Sequence, residues 1–201
     1  MNHYFDRKQT SKLLYFDIDV NVFDLSFKIK SASGIFSKNE LDSASKILIE
    51  NTIPFGEVLD MGCGNGVIGI SLLKKYSSLS LTFCDINERA VMLTKKNLES
   101  LNLKGNVINC YLFEKIDFKE FDLILSNPPY AAGRKVIYEM IEESVNYLKD
   151  GGKLNLVARH SKGGKMIEKK MFEVFGNVKY LAKKSGFRVY SSTKNEGADK
   201  N

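Results

Sequence analysis

The order of predicted secondary structure is the feature of this sequence that most restricts its fold. From Phe55 onward, short apolar segments typical of buried strands alternate with longer segments of helical periodicity. Such alternation predicts an α/β protein in which a parallel sheet has helices on both faces. The final two strands, 178–181 and 187–190, are joined only by a short turn, so they must run antiparallel. We therefore expect a mostly parallel sheet with one antiparallel strand near its edge.

The same patterns give the expected boundaries of the elements. Earlier strands are predicted at 58–61, 79–84, 107–110, 121–126 and 153–158. Helices are predicted at 67–73, 88–101, 136–148 and 165–175, and Asp150-Gly151-Gly152 is expected to close the third. In open α/β sheets, ligands bind beyond the carboxyl ends of the strands. The site is therefore expected at the residues that end these strands, which are Asp60, Cys84, Cys110, Ser126 and Ala158.

The first third of the chain has a different pattern. Apolar and polar residues alternate over 20–29, which predicts one or two strands. Ser37 and Glu40 have the spacing of a capping box, which predicts a helix from about Glu40 to Asn51. The chain from Lys194 onward is polar and is expected to be frayed.

A glycine-rich turn joins the first strand of the sheet to its helix, with the sequence Asp60-Met61-Gly62-Cys63-Gly64-Asn65-Gly66. Glycines let the backbone turn tightly and approach a ligand, and the helix N-terminus adds unpaired N–H groups. The stretch from Gly64 to Gly69 fits the G-x-G-x-x-G pattern of dinucleotide-binding proteins. Counted from Asp60, the turn instead fits D-x-G-x-G-x-G, and a carboxylate there would repel a pyrophosphate but pair with an ammonium group. Asp60 therefore favours S-adenosylmethionine, which has an ammonium and no phosphate, over NAD.

Asp85 ends the next predicted strand, where a carboxylate can accept hydrogen bonds from both ribose hydroxyls of an adenosine. Both candidate cofactors contain that adenosine, so Asp85 does not distinguish them. The alternative for Asp60 and Asp85 is that each carboxylate only caps a turn or a helix at the end of its strand.

The segment Ser126-Asn127-Pro128-Pro129-Tyr130 follows a buried strand and contains two of the chain's 3 prolines. Adjacent prolines fix two φ angles and remove two N–H donors, which leaves a stiff turn that presents carbonyl groups and the Asn127 amide. If Asn127 Oδ1 and the Pro128 carbonyl each accept one N–H of an exocyclic amine, the nitrogen lone pair can point at a methyl donor. Tyr130 can then stack on the planar base. The alternative is a rigid turn that merely ends a strand.

Length and composition argue against several other classes of protein. A chain of 201 residues suits one domain. No segment approaches the roughly 20 apolar residues that span a bilayer, and the N-terminus lacks the apolar core of a signal peptide, so we expect a cytoplasmic protein with no membrane partner. The cysteines Cys63, Cys84 and Cys110 fit reduced thiols and are expected to gather near the cofactor. Their spacing is not a zinc pattern, so no metal site is predicted.

The positive charge is confined to one part of the chain. Residues 1–129 contain 15 Lys and Arg against 16 Asp and Glu, a net charge of −1, whereas residues 130–201 contain 15 against 8, a net charge of +7. A one-sided basic surface suggests a polyanionic partner such as RNA, and the alternative is a solvated lysine-rich helix face. The candidate contacts with RNA phosphates follow strand ends and are Arg134, Lys135, Arg159, Lys162 and Lys165. His160 lies among them, either facing the substrate or merely solvated.

Taken together, these motifs resemble the class I S-adenosylmethionine-dependent methyltransferases. The resemblance is strongest to the small single-domain branch of the ribosomal RNA guanine-N2 methyltransferases, the RsmC-like small-domain family. It covers nearly the whole chain. The segments that match the family are residues 33–37, 58–69, 85–90, 126–130, 132–135, 151–154 and 175–178.

The resemblance implies a Rossmann-like sheet of seven strands in a single methyltransferase domain. Its expected parts are N-terminal strands and a helix at 1–54, a cofactor-binding core at 55–193 and a polar tail at 194–201. The cofactor contacts that it implies are Asp60, Gly62, Cys63, Gly64, Asp85, Ile86, Tyr111, Leu112 and Asn127. Asn127 to Tyr130 would surround the target amine, and Phe36 would lie near the mouth of the cofactor site. Tyr111 stands where family members often carry an acidic or polar residue near the adenine.

The expected function is therefore methylation of an exocyclic amine of RNA, with guanine N2 of ribosomal RNA as the target. The partner would be ribosomal RNA or the small ribosomal subunit. Protein glutamine-N5 and DNA adenine-N6 methyltransferases use a similar Asn-Pro-Pro-Tyr loop and are the enzyme alternatives. An inactive RNA-binding scaffold is the alternative from a different class. The sequence leaves the exact nucleotide and the oligomeric state open.

Overall fold

The N-terminal segment forms a hairpin separate from the main sheet. The computed structural model of the protein describes residues 12–35, 40–117, 120–128 and 133–195. Strand β1 (Tyr15–Val22) pairs antiparallel with β2 (Leu25–Ala32), with Ile18 opposite Ile29. Both isoleucines are buried. The predicted alternation is thus confirmed, and it extends over two strands.

Helix α1 (Ser43–Glu50) begins later than the sequence pattern predicted. Asp42 is its N-cap, because the Asp42 carboxylate accepts the backbone N–H groups two and three residues further on, each at 3.0 Å. The predicted start near Glu40 is therefore wrong: Asp42 satisfies the free N–H groups of the first turn. Ser37, the first residue of the predicted capping box, lies outside the described residues.

The main sheet has the seven strands that the resemblance implied. They are β3 (Glu57–Met61), β4 (Ser80–Asp85), β5 (Asn106–Asn109), β6 (Phe121–Ser126), β7 (Leu148–Arg159), β8 (Lys179–Lys184) and β9 (Phe187–Thr193). Their order across the sheet is β5-β4-β3-β6-β7-β9-β8. Strand β9 runs antiparallel to both of its neighbours, and the other pairs are parallel. The mostly parallel sheet with one antiparallel strand near the edge is confirmed.

Helices cover both faces of this sheet. They are α2 (Val67–Lys75), α3 (Glu88–Ser100), α4 (Gly133–Tyr147) and α5 (Lys165–Phe175). Along β3, Val58 packs in the core that contains α1, α2 and the hairpin, whereas Leu59 packs in the core that contains α4 and α5. Burial on both faces explains why Val58, Leu59 and Met61 are apolar, and it makes Asp60 the exception within the strand. Within the described ranges, no helix is long and apolar enough to cross a membrane.

Strand β7 and the chain after β9 differ from the expectations. Gly151-Gly152 were expected to close a helix, but β7 begins at Leu148 and runs through them, with a register shift against β6. The expectation that Lys194 is frayed is also wrong, because it is 6% exposed. The Lys194 carbonyl accepts from Gly151 N–H at 2.8 Å, and the Lys194 N–H donates to the Gly152 carbonyl at 2.9 Å. This long-range pairing stabilises an extended conformation that local periodicity does not indicate.

The strand order changes direction between β3 and β6. Strands β4 and β5 lie on one side of β3, and β6 and β7 lie on the other. Loops that leave the carboxyl ends of β3 and β6 diverge to opposite faces and open a crevice, the usual ligand site in such sheets. These loops are the glycine turn after Asp60 and the segment at Asn127. A 2.7 Å hydrogen bond from Ser126 Oγ to the Met61 carbonyl joins them.

We predict that Gly69→Ala destabilises the fold. A Cβ at this position of α2 would lie 2.3 Å from Leu81 Cδ2 and 2.4 Å from Phe83 Cε1 on β4. Overpacking of this kind costs about 1–3 kcal/mol, which exceeds the gain of about 1 kcal/mol when Ala replaces Gly in a helix. Contacts as short as 2.3 Å put the cost in the upper half of that range, so after the helix gain is subtracted the expected fall in the free energy of unfolding, measured by urea denaturation, is about 1–2 kcal/mol. Lys95→Ala on the exposed side of α3 is the control, with a change within about 0.5 kcal/mol.

Candidate cofactor and substrate site

The glycine turn is fixed to the end of β4 by its own backbone. Gly62, Gly64 and Gly66 have φ angles of 72°, 61° and 83°, in the left-handed region that favours glycine. The N–H groups of Gly62 and Cys63 donate to the Cys84 carbonyl at 2.8 and 3.0 Å. The turn therefore holds one defined shape beside the crevice.

Asp60 is fully buried, and one of its oxygens has no partner. Its Oδ2 accepts a hydrogen bond from Gly69 N–H at 2.9 Å, whereas Oδ1 has no hydrogen-bond partner among the described residues. Burial raises the pKa of Asp60 to about 7; the Gly69 N–H opposes this rise and the Asp85 carboxylate adds to it. A buried carboxylate oxygen without a donor is costly, so a positively charged donor would be strongly favoured here.

Asp85 both supports the turn and lines the crevice. Its Oδ2 accepts from Gly64 N–H and its Oδ1 from Asn87 N–H, each at 2.9 Å. The alternative hypothesis from the sequence, that Asp85 caps a turn at the end of its strand, therefore describes one of the contacts that Asp85 makes. A carboxylate has about four lone-pair sites, so the same side chain can support a turn and also accept hydrogen bonds from the hydroxyls of a ligand.

A cleft opens beside Asp85 at the carboxyl ends of β3, β4 and β6, and its walls are mostly apolar. It is lined by Met61, Gly62, Cys84, Asp85, Ile86, Cys110, Tyr111, Leu112, Ser126, Pro128, Val136, Ile137 and Met140. Of the residues predicted to contact a cofactor, Gly62, Asp85, Ile86, Tyr111 and Leu112 lie on these walls. An apolar cleft with a carboxylate at its side suits a flat heterocycle attached to a sugar.

Tyr111 forms an aromatic part of the wall. Its hydroxyl donates to Glu139 Oε2 of α4 at 2.8 Å. Burial, followed by the contact with Glu139, raises the pKa of Tyr111 to about 12. The phenol therefore stays neutral at physiological pH, and its ring is held against the cleft.

Two of the three cysteines gather at the cleft. Cys84 Sγ and Cys110 Sγ lie 2.9 Å apart, and both residues line the wall. The Cys63 side chain packs instead in the core that contains α1 and α2, with Sγ 3.6 Å from Thr94 Oγ1. Any contact of Cys63 with a cofactor would come from its backbone. In the part of the chain that the structure describes, no cluster of His, Cys, Asp and Glu could hold a metal ion.

Asn127 follows β6 directly and is half-buried. Its Nδ2 donates to Ser45 Oγ at 3.0 Å and to Asp42 Oδ1 at 3.3 Å, at the N-terminus of α1. None of the described residues donates a hydrogen bond to Asn127 Oδ1. Pro128 lines the cleft. The predicted site residues Pro129, Tyr130 and Phe36 lie outside the described residues.

The predicted RNA-contacting residues lie at this same edge of the sheet. Arg134 and Lys135 are exposed on the first turn of α4, shortly after Asn127. Arg159 and Lys162 are exposed at the end of β7 and in the turn that follows it. Lys165 is exposed at the start of α5. The segments at the ends of β6 and β7 thus bring these cations to one side of the molecule.

His160 anchors this edge. Its Nδ1 lies 2.9 Å from the hydroxyl of Tyr190, which is fully buried. The imidazole therefore connects the turn after β7 to the core beneath it, and neither sequence hypothesis for His160 anticipated this contact.

Two parts of the site have no counterpart in the sequence motifs. The first is the start of α1, which reaches Asn127 through Asp42 and Ser45. The second is the face of α4 that closes the cleft with Val136, Ile137 and Met140. The sequence pattern showed that α4 has an apolar face, but it did not show which strand ends that face would cover.

Comparison with known proteins identifies the family. The model of the family described as the methyltransferase small domain matches residues 26–191 of this chain. The uncharacterized protein YbxB of Bacillus subtilis is 34% identical over 197 residues, which covers 96% of this chain and 98% of that protein. Ribosomal RNA small subunit methyltransferase C of Psychromonas ingrahamii is 38% identical over 179 residues, 86% of this chain and 50% of that protein.

Among solved structures, the 16S rRNA N2 G1207 methyltransferase RsmC of T. thermophilus, in complex with AdoMet and guanosine, superposes with a TM-score of 0.78. It is 21% identical, and the match covers 94% of this chain and 52% of that one. A methyltransferase from Pyrococcus furiosus superposes with a TM-score of 0.65 at 22% identity, over 74% of this chain and 80% of that one. The chain spans about half the length of the methyltransferase C relatives that it matches.

The chain belongs to the methyltransferase small domain family and has the class I methyltransferase fold. S-adenosylmethionine is the cofactor of this class, and the site fits it. The unpartnered Oδ1 of Asp60 suits the ammonium group, Asp85 suits the ribose hydroxyls, and the apolar wall suits the adenine. A dinucleotide would instead bring a pyrophosphate to the buried Asp60 carboxylate.

We predict that binding of S-adenosylhomocysteine tightens as the pH rises. Its ammonium group favours ionised Asp60, so binding below pH 7 must displace a proton from a carboxyl whose pKa is about 7. The dissociation constant, measured by calorimetry, should fall about tenfold between pH 6 and pH 8 and level off above pH 8. Asp60→Asn should bind weakly with no pH dependence over this range. A flat profile for the unmodified protein, or thermal stabilisation by NAD, would contradict the role of Asp60.

Proposed function

We propose that this protein transfers the methyl group of S-adenosylmethionine to the exocyclic N2 amine of a guanine in ribosomal RNA. The observation that carries the proposal is the position of Asn127. It lies at the strand-order reversal between β3 and β6, next to the cleft that Pro128 lines, with no described donor on its Oδ1. The methyltransferase C relatives act on small-subunit ribosomal RNA by name, and the RsmC structure contains guanosine, which supports this choice of substrate.

Bound S-adenosylmethionine supplies an electrophilic methyl group on a cationic sulfur. The residues of the chain must make the attacking amine nucleophilic, because its lone pair is delocalised into the base. Asn127 Oδ1 and the Pro128 carbonyl would each accept one N–H, which would draw the nitrogen toward tetrahedral geometry. The nitrogen becomes more acidic as it gains the methyl group, so it would release one proton to solvent, and the cofactor would leave as neutral S-adenosylhomocysteine. Positioning and electrostatic stabilisation carry this step without a general base of matched pKa.

The charge distribution supports RNA as the larger substrate. The exposed cations at the ends of β6 and β7 flank the segment that contains Asn127. In the described part of the chain, no carboxylate forms an ion pair with Arg134, Lys135 or Lys162, so these cations are available to phosphates. Contacts with the phosphate backbone would hold the RNA in register while the loop selects one amine.

Asn127→Ala should remove methyl transfer while largely preserving cofactor binding, because Asp60 and Asp85 remain. Loss of one aligned polar contact in a transition state costs about 10²–10³ in rate, and we expect a fall of at least about a hundredfold. The assay is mass spectrometry of nucleosides from ribosomal RNA of cells that lack the gene, incubated with purified protein and S-adenosylmethionine. Asn195→Ala, on the exposed residue after β9, is the matched control and should retain wild-type activity.

Parallel incubations with DNA and with cellular protein, each analysed by mass spectrometry for its own methylated product, distinguish the alternative substrates. N2-methylguanosine supports the proposal, whereas N6-methyladenosine in DNA or methylglutamine in protein would replace it with one of the related activities. S-adenosylhomocysteine binding without any methylated product would indicate the inactive scaffold.

The double variant Arg134→Ala/Lys135→Ala should weaken RNA binding at low salt and flatten its salt dependence. Each lost phosphate contact lowers the slope of log K against log salt by about 0.7–0.9, so we expect a decrease of about 1.5. The control is Lys95→Ala/Lys104→Ala, which removes the same charge from exposed positions on α3 and before β5. Equal slopes for the two double variants would show that the charge at the start of α4 does not contact RNA.

A further inference from the structure

The side-chain amide of Asn127 is oriented by the N-terminus of α1. Its Nδ2 lies 3.0 Å from Ser45 Oγ and 3.3 Å from Asp42 Oδ1. A carboxylate can only accept hydrogen bonds, so the amide atom that faces Asp42 must be the NH₂ group. The carbonyl oxygen therefore points away from α1, and its orientation follows from the chemistry of its neighbour.

We propose that Asp42 and Ser45 are positioning residues for methyl transfer. They hold the Asn127 amide so that its oxygen, and not its nitrogen, faces the target amine. This inference rests on the proposed function, in which that oxygen accepts an N–H of the amine. The partnership with a carboxylate also draws positive charge onto the NH₂ group, which makes the carbonyl oxygen a stronger acceptor.

Without these partners, the amide would have two nearly equivalent orientations. Rotation about the last torsion of an asparagine is soft, and a half-turn exchanges oxygen for nitrogen. In the exchanged orientation an NH₂ group would face the N–H groups of the amine, and donor would meet donor. The contacts to α1 thus discriminate between a productive and an unproductive site.

The start of α1 is rigid enough for this task. Asp42 is fixed by accepting the backbone N–H groups of Ala44 and Ser45 at 3.0 Å. Ser45 is 3% exposed, and the next turn of α1 is anchored by the buried Ile47 and Leu48. The carboxylate and the hydroxyl are therefore held by the fold, and the amide conforms to them.

The central experiment combines Asp42→Ser with Ser45→Ala. Serine is also a good N-cap, so the first substitution removes the carboxylate but retains a cap for α1. We expect kcat for RNA methylation to fall about ten- to hundredfold, the cost of a misplaced catalytic group, with KM for RNA and the dissociation constant of S-adenosylhomocysteine within twofold of wild type. Ser43→Ala, on the exposed side of the same helical turn, is the matched control with unchanged kcat.

A rescue experiment separates positioning from general stability. Asn127→Asp places a carboxylate against Asp42 and should abolish activity. Adding Asp42→Asn makes residue 42 the donor and residue 127 the acceptor, which restores a hydrogen bond between them. The second carboxylate oxygen of residue 127 is then left to accept from the amine. We expect at least a tenfold recovery of kcat over Asn127→Asp alone. Wild-type kcat in the central double variant, or a loss matched by weaker S-adenosylhomocysteine binding, would overturn the inference.

A spectroscopic readout keeps the inference testable if the proposed substrate is wrong. The side-chain NH₂ resonances of Asn127, assigned by their absence in Asn127→Ala, should exchange slowly with solvent in the wild type and faster in the central double variant. Equal exchange would show that α1 does not hold the amide, whatever the substrate. Protected NH₂ protons in a protein without RNA methylation would contradict the proposed function alone.

Discussion

Two buried carboxylates hold the glycine turn in place, and the cofactor site depends on them. Asp60 accepts the Gly69 N–H at the start of α2, and Asp85 accepts the Gly64 N–H within the turn. Asp60 is the last residue but one of β3 and Asp85 is the last residue of β4, and these strands are adjacent and parallel, so the sheet sets the distance between the two carboxylates. Charge-assisted hydrogen bonds of this kind are strong and directional, and they fix the backbone before any ligand binds. The same burial raises the pKa of Asp60 to about 7, so a cation bound beside it would stabilise the ionised carboxylate.

The N-terminal segment is part of the site. Asn97 of α3 donates to the carbonyls of Lys30 on β2 and Asn65 in the glycine turn, at 2.9 and 2.8 Å, and accepts the Lys30 N–H at 2.8 Å. One fully buried amide thus ties the hairpin to the cofactor side. At the other loop of the crevice, Asp42 ties α1 to Asn127. Both halves of the proposed chemistry are therefore supported by residues that precede the main sheet.

The uneven charge of the chain corresponds to a division of the site. Carboxylates favour the binding of a cationic cofactor, whereas lysine and arginine favour the binding of a phosphate backbone. The carboxylates lie at the carboxyl ends of β3 and β4, within the nearly neutral residues 1–129, whereas the exposed cations lie at the end of β7 and beyond β6 and β7, within residues 130–201 of net charge +7. Strand order keeps the two sets on opposite sides of the strand-order reversal, so the buried carboxylates lie apart from the cations that we propose as contacts for the RNA phosphates.

Local patterns in the sequence determined much of this structure. Strand and helix alternation, the short last turn and the motifs at Asp60, Asp85 and Asn127 are properties of neighbouring residues, and they predicted the sheet, its antiparallel strand and the position of the cleft. Tertiary structure decided the rest. The partners of Asn127 are 82 and 85 residues away in the chain, and the pairing of Lys194 with Gly151 extended β7. Such contacts depend on which surfaces the packed sheet brings together, and no periodicity within a short segment encodes them.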